Sequence, residues 1–105
     1  MSYEVIFSPS AREDLHRLFY FLLERELSSP TGDPTLPERA IEAIEQACHF
    51  LTHSPFSCRK AADSPFMREL LISFGRSGYV ALFEIREDAR VIVGAVRHQR
   101  ESDYH

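Results

Sequence analysis

From Met67 to Tyr104 the apolar positions fall into three short runs, Glu69–Phe74, Tyr79–Ile85 and Val91–Val96. Each is about strand length and rich in the β-branched and aromatic residues that fit a pleated surface. The separators are Gly75-Arg76-Ser77-Gly78 and Arg86-Glu87-Asp88-Ala89-Arg90. Both are turn chemistry, with glycines that tolerate positive φ and a charged tip. Gaps this short join antiparallel neighbours, because a parallel crossover needs a dozen or more residues. The pattern predicts a three-stranded meander. Its middle strand, Tyr79-Val80-Ala81-Leu82-Phe83, is apolar on both faces, so the reading expects helices on one side of it and some other cover on the second.

Upstream the period changes. Tyr3–Phe7 reads as a short strand. Ser8 then caps a helix, with Pro9 at the first helical position, where a missing N–H costs nothing. Ala11, Leu15, Leu18, Phe19, Leu22, Leu23 and Leu27 form a helical stripe over about Pro9 to Leu27. Glu13 and Asp14 place acids in the first turns, where the helix dipole favours them. Ser28–Leu36 is a loop with two prolines and a glycine. Thr35–Glu38 has the capping-box form and opens a second helix, with Ala40, Ile41, Ile44, Ala47, Cys48 and Leu51 on its apolar side and Pro55 at its end. His53–Phe66 reads as irregular, pinned to the core by Phe56 and Phe66. The sum is one α+β domain over residues 1–105: an N-terminal strand, then an antiparallel helical hairpin packed on a twisted antiparallel sheet (β-α-α-β-β-β), with the first strand at an edge of the meander.

Composition changes this picture in two places. No apolar run approaches the length of a membrane span and no signal-peptide pattern stands at Met1–Pro9, so the expectation is a cytoplasmic protein without a membrane partner. Cys48 and Cys58 lack any metal-type spacing and are expected reduced. The net charge of −4 is uneven: residues 1–53 carry four arginines against nine acids, a net of −5, while residues 54–105 carry seven arginines and Lys60 against seven acids, a net of +1. A protein that grips nucleic acid by its phosphates is usually basic overall, so direct DNA binding is not expected. Arginine without lysine suits planar, bidentate contacts at a few defined places.

The candidate chemistry is correspondingly sparse. Glu45, His49 and His53 repeat every four residues and could face a metal ion, but a solvated helix face explains them equally, and no further ligand follows at a defined spacing. No metal or other cofactor is therefore expected. Arg68 alternates onto the side of Leu70, Ile72 and Phe74, an odd place for a charge unless it is paired. Arg76 lies in a turn with freedom to reach a partner, and Arg97 and Arg100 flank the end of the last strand. His98 could act as a general acid or base beside cationic phosphate stabilisers. Packing at a strand end explains it more simply. Tyr79 could stack on a base or fill the core. No phosphate-binding glycine loop, GxSxG or HExxH is present.

Several stretches in order carry a resemblance. They are Ser8-Pro9-Ser10-Ala11-Arg12-Glu13-Asp14-Leu15, Leu51-Thr52-His53-Ser54-Pro55, Arg68-Glu69-Leu70, Gly78–Ile85 and the closing Ala95–Tyr104. No piece is specific alone; the ordered set resembles the RelE/ParE superfamily of toxins from bacterial type II toxin–antitoxin systems. The closing His98-Gln99-Arg100-Glu101 looks most like the ParE-like, plasmid stabilisation branch. The resemblance implies a growth-inhibiting toxin held in a hetero-oligomer by a cognate antitoxin, usually encoded beside it, whose C-terminal segment wraps the toxin and would cover the second sheet face.

Two targets follow from the same resemblance. RelE-like members cut messenger RNA on the ribosome, and Arg68, His98 and Tyr104 stand roughly where such nucleases place catalytic groups. ParE-like members inhibit DNA gyrase by binding, which would use Arg76, Tyr79, Arg97 and Arg100 as contacts to target or antitoxin. With one lysine and a net negative charge the chain departs from the basic nuclease pattern, and the reading favours gyrase inhibition. An attenuated toxin that only binds its antitoxin is the third alternative.

Overall fold

The computed structural model describes residues 2–101; Tyr104 lies outside them. The chain runs β1 (Glu4–Phe7), α1 (Pro9–Leu27), α2 (Leu36–His49), two single 3-10 turns at Phe50–Thr52 and Pro55–Ser57, β2 (Arg59–Ala61), β3 (Ser64–Phe74), β4 (Ser77–Ile85) and β5 (Arg90–His98). The five strands form one sheet in the order β1-β5-β4-β3-β2. The meander β3-β4-β5 is antiparallel as its short separators require. β1 joins the β5 edge in parallel, with Glu4 opposite Arg90 and Phe7 opposite Val93.

Helices α1 and α2 cover one face. Ala11, Leu18 and Leu22 from α1 and Ala40, Ile44 and Cys48 from α2 close over Ile72, Tyr79, Ala81, Phe83, Ile85, Val91, Val93 and Val96. Phe83 and Ile44 are fully buried, and burying side chains of this size stabilises by about 1.5–3 kcal/mol each. Burial also pushes the Cys48 thiol up to about 12, and both cysteines are free.

Local sequence explains most boundaries. Ser8 Oγ accepts the Ala11 N–H at 3.1 Å, and Pro9 opens α1. Gly75, at φ 60°, takes the left-handed position of a two-residue turn closed by Phe74 and Ser77. The next separator needs a left-handed residue too, and it is Ala89, at φ 61°.

Four expectations change. His53–Phe66 is not wholly irregular, since Arg59–Ala61 pairs with β3 as β2; two adjacent exposed cations in a three-residue strand carry no alternation to read. Thr35 makes no side-chain cap; its hydroxyl instead donates to Asp33 Oδ1 at 2.7 Å, which also accepts the Thr35 N–H at 2.9 Å. No acid lies in the first turn of α1; Asp14 points into the sheet instead. Phe56 and Phe66 do not pin their segment to the core: they are 46% and 47% exposed and meet each other edge-on, centroids 6.3 Å apart.

Candidate functional site

The site is the end of the sheet where β4 begins and β5 finishes. Register creates it: Tyr79 pairs with both Ile72 and His98, and Val80 with Arg97. The two-residue turn hangs Arg76 beside this pair. Gly78 has no room for a side chain, because a Cβ there would lie 1.9 Å from the Ile72 carbonyl oxygen. Its own carbonyl accepts the Gln99 N–H at 2.9 Å, which prolongs the β4–β5 ladder past His98.

β5 outruns β1 by several residues, and α1 supplies what the missing strand would. The Ser8 N–H donates to Val93 O at 2.9 Å, and Ser8 Oγ donates to Gly94 O at 3.3 Å. Asp14 Oδ2 accepts the Val96 N–H at 2.8 Å, and Arg17 Nη2 donates to Val96 O at 3.4 Å. Arg17 Nη1 also reaches Glu101 Oε1 at 3.2 Å, and that oxygen accepts the His98 N–H at 3.0 Å. Arg97 Nη1 closes the loop by donating to the Glu101 carbonyl at 2.8 Å. The helix thus sets the direction in which the chain leaves β5.

His98 sits at the centre with both ring nitrogens engaged. The Arg100 N–H donates to Nδ1 at 3.1 Å. Nδ1 is therefore an acceptor, which puts the proton on Nε2, 2.9 Å from Ser77 Oγ. The ring meets Tyr79 edge-on, with centroids 5.6 Å apart. Burial, and then the neighbouring Arg100 charge, holds His98 below its ordinary value of 6.5; Glu101 opposes the shift and Arg25 adds to it. The imidazole is neutral at pH 7. Tyr79 is 3% exposed and packs on Phe74 as well; burial raises its phenol above the usual range, against the pull of Arg25.

Arg25 and Arg100 lie near enough to this neutral centre to bear on its charge; Arg76 stands in the adjoining turn, and Arg97, opposite Val80, alternates to the other sheet face and donates to the carbonyls of His98, Gln99 and Glu101. Among the described residues Arg76 and Arg100 are exposed and hold no ion pair, so the corner is suited to an anionic or hydrogen-bond-accepting surface. Of the residues singled out in the sequence, Arg76, Tyr79, Arg97, His98 and Arg100 come together here. Arg25 was missed, although it continues the Ala11, Leu18, Leu22 stripe by one more turn, a position where a charge is unexpected.

Arg68 is not part of this corner. It pairs with Phe83, four rungs from Tyr79, on the order of 13 Å along the strand. Its guanidinium donates to the carbonyls of Pro65 (2.7 Å), Cys58 (2.9 Å) and Phe56 (3.3 Å), and lies 5.3 Å from the centroid of the Phe56 ring. It ties the segment before β2 to β3. Glu45, His49 and His53 are all exposed, and α2 stops at His49. Among the described residues no group of three metal-ligating side chains gathers, and no helix is long and apolar enough to cross a membrane.

Residues 5–103 match the family model described as the ParE toxin of the type II toxin–antitoxin system parDE. Toxin RelE3 of Caulobacter vibrioides is 37% identical over 94 residues, covering 89% of this chain and 90% of that protein. Toxin RelE1 of the same organism is 33% identical over 85 residues, covering 81% and 82%. The chain belongs to the RelE/ParE superfamily of type II toxin–antitoxin toxins. Its fold is shared with a chain of the chromosomal ParDE system from P. aeruginosa (TM-score 0.72, 13% identity, 92% of this chain and 96% of that one). It is shared also with a chain of the RelBE2 toxin–antitoxin complex from Mycobacterium tuberculosis (TM-score 0.63, 20% identity, 94% and 100%).

Proposed function

We propose that this toxin arrests bacterial growth by binding DNA gyrase, and that a cognate antitoxin neutralises it by binding the same protein. The observation that carries the first part is the state of His98. Its nitrogens are committed to Ser77 and to the Arg100 backbone, and Arg68, the arginine a nuclease site would pair with it, is held by three carbonyls elsewhere. Phosphodiester cleavage by a 2′-hydroxyl needs an acid, a base and cationic stabilisers converging on one phosphate. The corner supplies cations without a free acid–base group. It suits recognition, with Arg76, Arg97 and Arg100 meeting the partner and Tyr79 holding the corner from beneath. The solved toxin–antitoxin systems of the same fold support the antitoxin as a partner.

A second reading is kept alive by a specific observation: the relatives at 33–37% identity are named RelE toxins. It holds that the chain cuts messenger RNA on the ribosome, with Arg68, His98 and Tyr104 as the catalytic groups.

The test is controlled expression in a bacterium lacking the antitoxin, with a DNA-damage-response reporter and labelled amino-acid uptake followed together. Reporter induction while translation continues is the expected result. Immediate translation arrest without the reporter would replace gyrase with the ribosome. Folded protein with no effect on growth would leave an attenuated toxin that only binds its antitoxin.

A further inference from the structure

The Ser28–Leu36 connection between α1 and α2 is built from consecutive turns. The Gly32 N–H donates to Ser29 O at 3.1 Å, and the Leu36 N–H to Asp33 O at 3.1 Å. Gly32 passes so close to α1 that a Cβ there would lie 1.7 Å from the Glu26 carbonyl oxygen. Asp33 ties the other side of the loop: its carboxylate accepts the Thr35 N–H and hydroxyl and pairs with Arg39 on α2.

Glu26 passes this order on to Arg25. Its Oε1 accepts the Asp33 N–H at 3.0 Å, and its Oε2 accepts the Arg25 Nε–H at 3.0 Å. The Glu26 side chain keeps 14% of its surface exposed, whereas that of Arg25 keeps 55%. The Asp33 N–H, and after it Arg25, holds the Glu26 carboxyl below the usual range against the effect of burial, so it is ionised at pH 7.

An exposed ion pair between helix neighbours adds little stability. Its consequence here is direction. Arg25 follows Leu18 and Leu22 on the face that α1 turns to the sheet, and there its charge bears on both Tyr79 and His98. A loose arginine samples many rotamers and loses them on binding. Arg25 is held at Nε by a carboxylate that the loop holds in turn, and among the described residues its Nη groups make no hydrogen bond.

We propose that Arg25 is a further target contact of the corner, and that Glu26, fixed by the Ser28–Leu36 loop, is the residue that positions it. The group it meets is a carboxylate of the target protein, which can take both Nη groups side by side. A phosphate is the less suited partner for a chain with a net charge of −4 and one lysine. The inference rests on the gyrase reading above for the identity of the target.

The experiment is a double-mutant cycle on the full chain. It is read as affinity for DNA-free gyrase and as the order of the Arg25 Nε–H resonance, with each variant shown to be folded by circular dichroism. Arg25→Gln should weaken binding about tenfold, the loss expected of a charged hydrogen bond. Glu26→Gln keeps an acceptor for the Asp33 N–H and removes the charge that holds Arg25. It should weaken binding about fivefold, the cost of ordering one long side chain, and not at all beside Arg25→Gln. The Arg25 Nε–H should be ordered in the parent and mobile in Glu26→Gln. A Glu26→Gln loss that is equal with and without Arg25, or an Nε–H that stays ordered, overturns the positioning role. Binding unchanged by Arg25→Gln overturns the contact and leaves the gyrase reading standing. Weakening confined to DNA-bound gyrase overturns the carboxylate in favour of a phosphate. No gyrase binding by the folded parent overturns the inference together with the reading beneath it.

Discussion

The Asp14 carboxylate, on a residue 1% exposed, accepts the backbone N–H of Val96 at 2.8 Å. A helix side chain thereby completes a sheet. Asp14→Ala would strand a buried donor, which costs about 1–3 kcal/mol, whereas Asp14→Asn keeps an acceptor oxygen and should cost less. Urea unfolding of the two variants should rank them in that order. Equal stability of both with the parent would mean that the Val96 N–H finds another partner.

His98 links the corner to pH. Its folded-state value lies below 6.5 because burial and Arg100 disfavour the imidazolium. The unfolded chain therefore binds more protons as pH falls below about 6.5. The stability attached to neutral His98 is complete above that value and is lost as pH falls through the lowered one. Thermal midpoints between pH 7.5 and 5 should thus fall more steeply for the parent than for His98→Gln. Parallel pH profiles would contradict this.

Gly78 has a steric rather than a conformational role. A methyl group there would sit 1.9 Å from the Ile72 carbonyl, so β3 and β4 must part. Gly78→Ala is expected to cost more than ~3 kcal/mol, in the range of severe core disruptions. Heteronuclear spectra should show the disturbance centred on Ile72, Tyr79 and His98. A variant of parental stability would refute the close approach.

Ala89 is strained in the opposite sense. At φ 61° it occupies a region that costs an L-residue about 1–2 kcal/mol, partly offset by the entropy glycine loses on folding. Ala89→Gly should raise stability by a few tenths to ~1 kcal/mol, read as an upward shift of the thermal midpoint.

Arg68→Ala should lower stability by about 1–2 kcal/mol, through lost charged hydrogen bonds to carbonyls and the contact with Phe56. Growth inhibition, measured per folded molecule, should persist. Loss of toxicity from Arg68→Ala together with an intact fold would instead favour the nuclease reading.

Much of this architecture is legible along the chain. Apolar runs of strand length in residues 69–96, rich in β-branched and aromatic residues, and period 3.6 in residues 11–27 and 40–51 point to strands and helices. Ser8-Pro9 fixes a helix start through purely local hydrogen bonding, and short separators force antiparallel neighbours. Where the sequence misled, a competing partner won: Asp33 took the Thr35 hydroxyl from its capping role, and Val96 took Asp14 from the helix dipole. β2 was invisible because three residues with two adjacent cations present no pattern. The corner belongs to tertiary structure alone. The seven arginines after residue 53 look alike in sequence. Only the register of β3 on β4 on β5, and the run of α1 past the end of β1, bring Arg25 and Arg100 to His98 and the Arg76 turn beside it, while sending Arg68 about 13 Å away. Residue types announce what a side chain can do; strand register and helix placement, which arise from contacts far apart in the chain, decide which side chains can do it together.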